Sequence, residues 1–192
     1  MKKYNGYKAE ISKAFEQLPT GAYLCNIMNA EEAIYDWGGK LLLSLDIADG
    51  EHKGFFAKQY RDDTREDKKW GCVLGLYEPK DDGSEKDSWT KRSFNNFIGC
   101  VEDANSGYHW NWDEKSLKGK KIAVVFRSEE WEYNGKTGWK VRPFRIISIG
   151  DYNDGNWGKY DDKPLANKAS QQAGGAFYGS YSDSADDSDL PF

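Results

Sequence analysis

Three stretches of the chain interleave aromatic rings with lysine and arginine. The first holds Trp37, Lys40, Phe55, Phe56, Lys58, Tyr60, Arg61 and Arg65, and the second is Lys68-Lys69-Trp70. The third holds Trp131, Tyr133, Lys136, Trp139, Lys140 and Arg142. Cations that track phosphates, beside rings on which bases stack, are the two ingredients by which a protein grips a single nucleic-acid strand. Each stacked base contributes about 1–3 kcal/mol, so three or four such rings suffice for useful affinity. The chain is 15% aromatic with 8 Trp, which supplies rings for this purpose and for a core. Phe55 and Phe56 are adjacent, and in an extended segment only one of them faces inward.

Other chemistries find little material. His52 and His109 have neither neighbouring cysteines nor the spacing of a metal-binding pair, and no metal or cofactor is expected. Acidic pairs such as Asp62-Asp63 and Glu129-Glu130 could hold Mg²⁺ for a nuclease, but among 32 acids adjacency arises by chance. Asp81 to Glu85 lacks the ligand spacing of a calcium loop. There is no phosphate-binding loop of the full Gly-x-x-x-x-Gly-Lys-Ser/Thr pattern and no Gly-x-Ser-x-Gly elbow. The expectation is a binding protein and not an enzyme.

The elements that must position these residues follow from periodicity. Ile11, Ala14, Phe15 and Leu18 fit a short amphipathic helix over Lys8–Leu18, stopped by Pro19. Ala22–Ala30 and Lys40–Ile47 alternate as strands, with Leu41, Leu43, Leu45 and Ile47 on one face and Gly38-Gly39 as the turn between them. Phe55–Tyr60 reads as a short strand or irregular segment, Arg61–Lys69 as a charged loop and Cys72–Tyr77 as a third strand. Phe94, Phe97, Ile98 and Val101 place a helix over Trp89–Ala104. After the aromatic loop Tyr108–Trp112 come strands Lys120–Tyr133 and Trp139–Ile149, joined at Asn134-Gly135, with an edge or bulge expected near Pro143. Five strands with a helix between the third and fourth predict a mainly β (α+β) domain of OB-fold type, a five-stranded barrel. In that fold the loops joining strands one to two and four to five bind oligonucleotides. The first and third clusters fall on those loops.

At 192 residues and 38% hydrophobic content the chain supports one core, assigned to residues 1–150. That part is electrically neutral, and residues 151–192 carry the whole net charge of −5. Their Gly-, Asp-, Asn- and Ser-rich composition predicts a flexible linker and tail, disordered at least from Lys168. Cys25, Cys72 and Cys100 are widely spaced and odd in number, which argues for buried free thiols rather than a disulfide framework. No signal-peptide or membrane-spanning stretch is evident, so a cytoplasmic protein without a membrane partner is expected.

The chain ends on Asp186, Asp187, Asp189, Leu190, Pro191 and Phe192. An apolar side chain beside a free carboxylate, on an acidic and unpatterned stretch, suits capture by a basic cradle with an apolar pocket. This ending resembles the C-terminal tip of bacterial and bacteriophage single-stranded DNA-binding proteins. The resemblance covers under a tenth of the chain and points to a distant phage or mobile-element type. It implies an OB-fold body that coats single-stranded DNA and a tip that recruits replication, recombination and repair enzymes. It also implies a homo-oligomer. The competing readings are an adaptor that uses the tip without binding DNA, a Trp-rich carbohydrate-binding module and a metal-dependent nuclease.

Overall fold

The computed structural model describes Asn5 and residues 16–165. Its elements are β1 (Gly21–Tyr35), β2 (Gly38–Ile47), α1 (Phe55–Asp62), β3 (Val73–Tyr77), α2 (Glu85–Ala104), a 3-10 turn (Glu114–Leu117), β4 (Lys121–Tyr133), β5 (Lys136–Ile147) and α3 (Ile149–Asn153). The five strands form one antiparallel sheet in the order β3-β2-β1-β4-β5. The sheet is not closed, because β3 and β5 are its two edges. The molecule is thus mainly β with a few helices.

The leucine alternation of β2 sets the buried face. Leu41, Leu43, Leu45 and Ile47 meet Ile27 and Ala30 of β1 and Ile122, Val124 and Phe126 of β4, with Phe97 and Val101 of α2 closing the layer. Asn26 of β1 pairs with Asp46, but a bulge at Met28 shifts the register, so that Asn29 pairs with Ser44. Ile27 before the bulge and Ala30 after it therefore both reach the core, a phase change that strict alternation cannot accommodate. In β5 the ladder shifts at Phe144, beside Pro143, on the sheet edge where a missing N–H is tolerated.

Both hairpin turns have two residues. Asn134 (φ 49°) and Gly135 (φ 73°) occupy the left-handed conformations that this turn requires. The first turn is Asp36-Trp37, and Gly38-Gly39 already belong to β2. Gly39 is needed there because the Glu78 side chain crosses the space that a Cβ would fill.

The segment Phe55–Tyr60, expected as a short strand or irregular, is instead part of helix α1. Phe55 (9% exposed) and Phe56 (4%) both point into the core. The buried Asp46 explains the start of this helix, since its carboxylate accepts the Phe56 N–H at 2.9 Å and the Ile47 N–H at 2.9 Å. Two adjacent aromatics favour a strand by propensity, but a carboxylate at a helix N-terminus and two apolar contacts outweigh that preference. Most of the expected helix over 8–18 lies outside the described residues; 16–18 are irregular. Leu18 (3% exposed) is nonetheless core. It lies between α1 and β5, where Gln17 donates to the Trp139 carbonyl at 3.1 Å and Gln59 to the Glu16 carbonyl at 3.4 Å.

The chain from 151 to 165, assigned from sequence to the flexible linker, packs on the other face of the sheet. Tyr152, Trp157 and Tyr160 cover Ala123, Val125 and Ile147. The segment then bridges in parallel to β4, with Lys163 N–H donating to Ser128 and Glu130 N–H to Lys163, each at 2.8 Å. The remainder of the expected tail lies outside the described residues.

Helix α2 is fixed at its start by Ser84, which caps the Asp87 N–H at 3.1 Å. Asp87 itself is buried and accepts the Lys80 and Asp81 amides at 2.9 and 3.0 Å, with Lys91 at 2.9 Å. The hydrogen bond from Lys91, above all, lowers the Asp87 pKa. A lowered carboxyl pKa stabilises the fold above the ordinary carboxylate range, and that contribution disappears as pH falls through the folded value. Asp87→Asn is therefore expected to unfold at lower denaturant than the parent at pH 7. The gap should close as the medium is acidified, as read by urea titrations across that range.

Candidate nucleic-acid interface

The register places the first candidate surface on the outer face of β1, β2 and β3. Row by row it reads Ala33, Lys40, Tyr77; then Glu31, Leu42, Gly75; then Asn29, Ser44, Val73. At its outer end Tyr35 and Trp37 stack with centroids 4.8 Å apart and planes within 7°. Trp37 meets Tyr77 edge-on at 5.3 Å, and the Lys40 ammonium lies 5.3 Å from the centre of the Tyr77 ring. Tyr35 is 44% and Trp37 39% exposed, so these two rings remain accessible beside a cation.

Gly75 makes the arrangement possible. Lys40 lies across β3 over Gly75, in space that a Cβ would occupy. Gly75→Ala is expected to lift Lys40 from Tyr77 and to lower affinity for oligo-dT several-fold, leaving the unfolding transition in place. Fluorescence titration beside a denaturation curve checks both halves.

The second cluster gathers at the end of α1 together with Lys58, Tyr60, Arg61 and Arg65 of the first. Tyr60 (37% exposed) tilts onto Trp70 at 5.6 Å, with the Lys68 ammonium 4.6 Å from the Tyr60 centroid. Trp70 is half-buried, and its indole N–H donates to the Leu45 carbonyl at 2.7 Å, so it is an anchor with one usable edge. Lys58, Arg61, Arg65 and Lys69 are exposed around it. Arg65 is engaged by Asp63 at 2.6 Å, and that hydrogen bond pulls the Asp63 pKa down to about 2.

The third cluster lies on the β4–β5 hairpin. Trp131 and Tyr133 share a face with Lys136, Gly138, Lys140 and Arg142, whereas Trp139, paired with Glu130, looks out of the opposite face. The Trp131 ring lies over Gly138, which has no side chain to obstruct it. Tyr133 is 39% and Trp139 44% exposed. The Lys140 pKa is lowered, first by desolvation and then by Arg142, with a smaller push from Arg65. Lys140 and Val141 of β5 line a small cavity with Phe55, Phe56 and Gln59 of α1, so the third cluster meets α1 at the seam between them.

Of the first cluster only Trp37 and Lys40 stand apart from this seam; Phe55, Phe56, Lys58, Tyr60, Arg61 and Arg65 lie on or beside α1. Phe126 of β4 pairs with Gly21 at the start of β1, and Lys121 with Asn26. The β4–β5 hairpin therefore projects beyond one end of β1, and the β1–β2 hairpin beyond the other. Of the residues singled out by sequence, Phe55 is a core residue and offers no face to a ligand. Tyr35 and Tyr77 join the site only in the fold. Tyr35 shares the Trp37 hairpin in sequence, but Tyr77 comes into place only through its pairing opposite Lys40.

The three thiols are buried, and burial raises each pKa, that of Cys100 to about 11. Among the described residues no group of three or more His, Cys, Asp or Glu is placed to hold a metal ion. No described helix is long and apolar enough to cross a membrane. The tip residues Asp186, Asp187, Asp189, Leu190, Pro191 and Phe192 lie outside the described residues. Scanned against models of known protein families and against curated proteins, the chain matches none.

Proposed function

We propose that the chain is a single-stranded DNA-binding protein with an OB-type body, of phage or mobile-element kind. The ladder of Tyr35, Trp37, Tyr77 and Lys40 carries this reading, since it combines the partly exposed rings of Tyr35 and Trp37 with a cation on a projecting hairpin. The fold supports it. In the order β3-β2-β1-β4-β5 with α2 between β3 and β4, curling the sheet brings its two edges together, and OB barrels are themselves partly open. Leu18 and α1 fill the gap between β5 and the rest of the core. The strand-joining hairpins that bind oligonucleotides in that fold correspond to the two that carry Trp37 with Lys40 and the third cluster.

Binding relies on stacking and phosphate neutralisation, so it is weakly dependent on sequence and sensitive to salt. Each neutralised phosphate lowers log K by about 0.7 per log unit of salt. Titration with oligo-dT at low salt should quench tryptophan emission, and the quenching should weaken as salt rises. An unchanged spectrum together with no retained complex would exclude the reading. That pattern would leave the adaptor as the better account.

The tip assigns the second role, recruitment of replication and recombination enzymes through Asp186 to Phe192. Deleting Phe192 should abolish capture of such a partner while leaving oligo-dT affinity equal or slightly higher. Collapse of DNA binding in that variant would place the tip inside the DNA site.

A further inference from the structure

Inward from its tip, the β4–β5 hairpin gathers three arginines and one ring on the face that carries Trp131 and Tyr133. The facing pairs run Tyr133–Lys136, Trp131–Gly138, Glu129–Lys140, Arg127–Arg142 and Val125–Arg145. Phe144 is the residue at the register shift, between Pro143 and Arg145. The Arg127 guanidinium lies 4.5 Å and the Arg145 guanidinium 5.2 Å from the centre of its ring, with Tyr160 against it at 5.9 Å.

Like charges set directly opposite in an antiparallel pair destabilise it, and Arg127 stands directly opposite Arg142. Among the described residues only Glu129 makes an ion pair with any of the three arginines. One of its oxygens accepts Nε and Nη2 of Arg127, each at 2.9 Å. Arg145 donates to the Trp157 carbonyl, and its Nε is buried without a hydrogen-bond partner among the described residues. Contact with a ring takes no donor from a guanidinium, so most of the N–H groups here remain for a ligand. A surplus of planar, forked cations suits phosphate oxygens, which such forks hold in pairs.

We infer that a backbone phosphate of the bound single strand docks between Arg127 and Arg142, with Arg145 behind it. This rests on the DNA-binding reading above and adds Arg127, Phe144 and Arg145 to the residues that serve it. Arg127 and Trp131 are four residues apart, about 13 Å along β4, so a strand stacked on the hairpin rings reaches the arginines within a few nucleotides. The track ends there, because the next residues inward, Val125 and Ala123, are covered by the 151–165 segment. Phe144 positions two of the guanidinium groups. The Arg127 side chain is only 13% exposed, so it is held against the sheet and needs little ordering when the phosphate arrives. A strand is favoured over a free anion because the rings on the same face serve its bases.

Arg127→Gln tests the inference in the full chain. Oligo-dT affinity at low salt is expected to fall several-fold, and the slope of log K on log salt to flatten by about 0.7, the share of one phosphate. With oligo-dT whose linkages are uncharged methylphosphonates, parent and variant should bind alike. A parental slope in a variant that unfolds at the parent's urea midpoint overturns the inference, as does a loss that persists in full with the uncharged strand. If the variant does not fold, the parent chain decides. Its Arg127 and Arg145 Nε–H resonances, assigned with Arg127→Lys and Arg145→Lys, should shift with oligo-dT and stay in place with inorganic phosphate at the same phosphate concentration. Equal shifts with inorganic phosphate overturn the inference in favour of a free-anion site. Resonances that stay in place while the Trp37 indole moves overturn it and leave the DNA-binding reading standing, whereas a parent chain that binds no oligo-dT removes both.

Discussion

Replacing Trp37 and Tyr77 together by alanine is expected to weaken oligo-dT binding by about 30-fold or more. A stacked base contributes about 1–3 kcal/mol, and 1.4 kcal/mol is tenfold in affinity. The two rings touch, so their effects are not expected to add in full, which places the figure toward the lower end of the range for two stations. Neither residue is charged, so the dependence of log K on log salt should keep its slope while the whole line drops. Lys140→Gln with Arg142→Gln should do the reverse, flattening the slope by about 0.7 for each phosphate left without its cation. The fold is expected to survive the aromatic change, because Trp37 is exposed at a turn and the core face of that hairpin is made by Leu41 and Leu43. Parallel titrations at four salt concentrations separate the two effects.

Truncation after Gly150 is expected to destabilise the domain by about 3–5 kcal/mol, the scale of removing a large aromatic from a packed site. Truncation after Leu165 should leave the unfolding midpoint where it was. The difference lies in Tyr152, Trp157 and Tyr160, which cover Ala123, Val125 and Ile147 on the face of the sheet opposite α1 and α2. Removing them exposes Ala123 and Val125, now 1% and 0% exposed, and uncaps the edge of β4 where Lys163 bridges. The Trp157 carbonyl also accepts from Arg145, whose guanidinium lies against Gly158. Urea unfolding of the two truncations beside the full chain gives the comparison directly.

How much of the fold is legible in the sequence depends on the range of the interactions. β2 and the β4–β5 turn can be read locally, since the alternation from Leu41 to Ile47 and the dipeptide Asn134-Gly135 each encode their own geometry. Helix α2 can be read as well, because Phe94, Phe97 and Val101 fall on one helical face and are all buried. Helix α1 is hidden, since its start is set by Asp46, ten residues upstream of Phe56. The segment 151–165 is hidden for a related reason. Its composition alone cannot offset the entropy of ordering, and what orders it is a flat surface of small side chains on strands far away in sequence.

The candidate site shows the same division. Trp37, Lys40 and the rings of the last hairpin are visible because aromatic and basic residues coincide there in sequence. Tyr77 is not, since only the pairing of β2 with β3 sets it opposite Lys40. Phe55 falls among the expected contact residues because its neighbours suggest an exposed loop where a helix stands. The separation of Trp139 from Trp131 and Tyr133 is a matter of strand parity, readable once the two-residue turn is fixed.

Whether the hairpin aromatics of the body hold single-stranded DNA can be read residue by residue. Oligo-dT would be titrated into the protein while the eight tryptophan indole N–H resonances are followed. Trp37 is expected to move most, with Trp131 and Trp139 following, while Trp157, packed under the 151–165 segment, stays in place. Shifts confined to Trp110, Trp112 and Trp157, or no shift at saturating oligonucleotide and low salt, would contradict the proposed role of the hairpins.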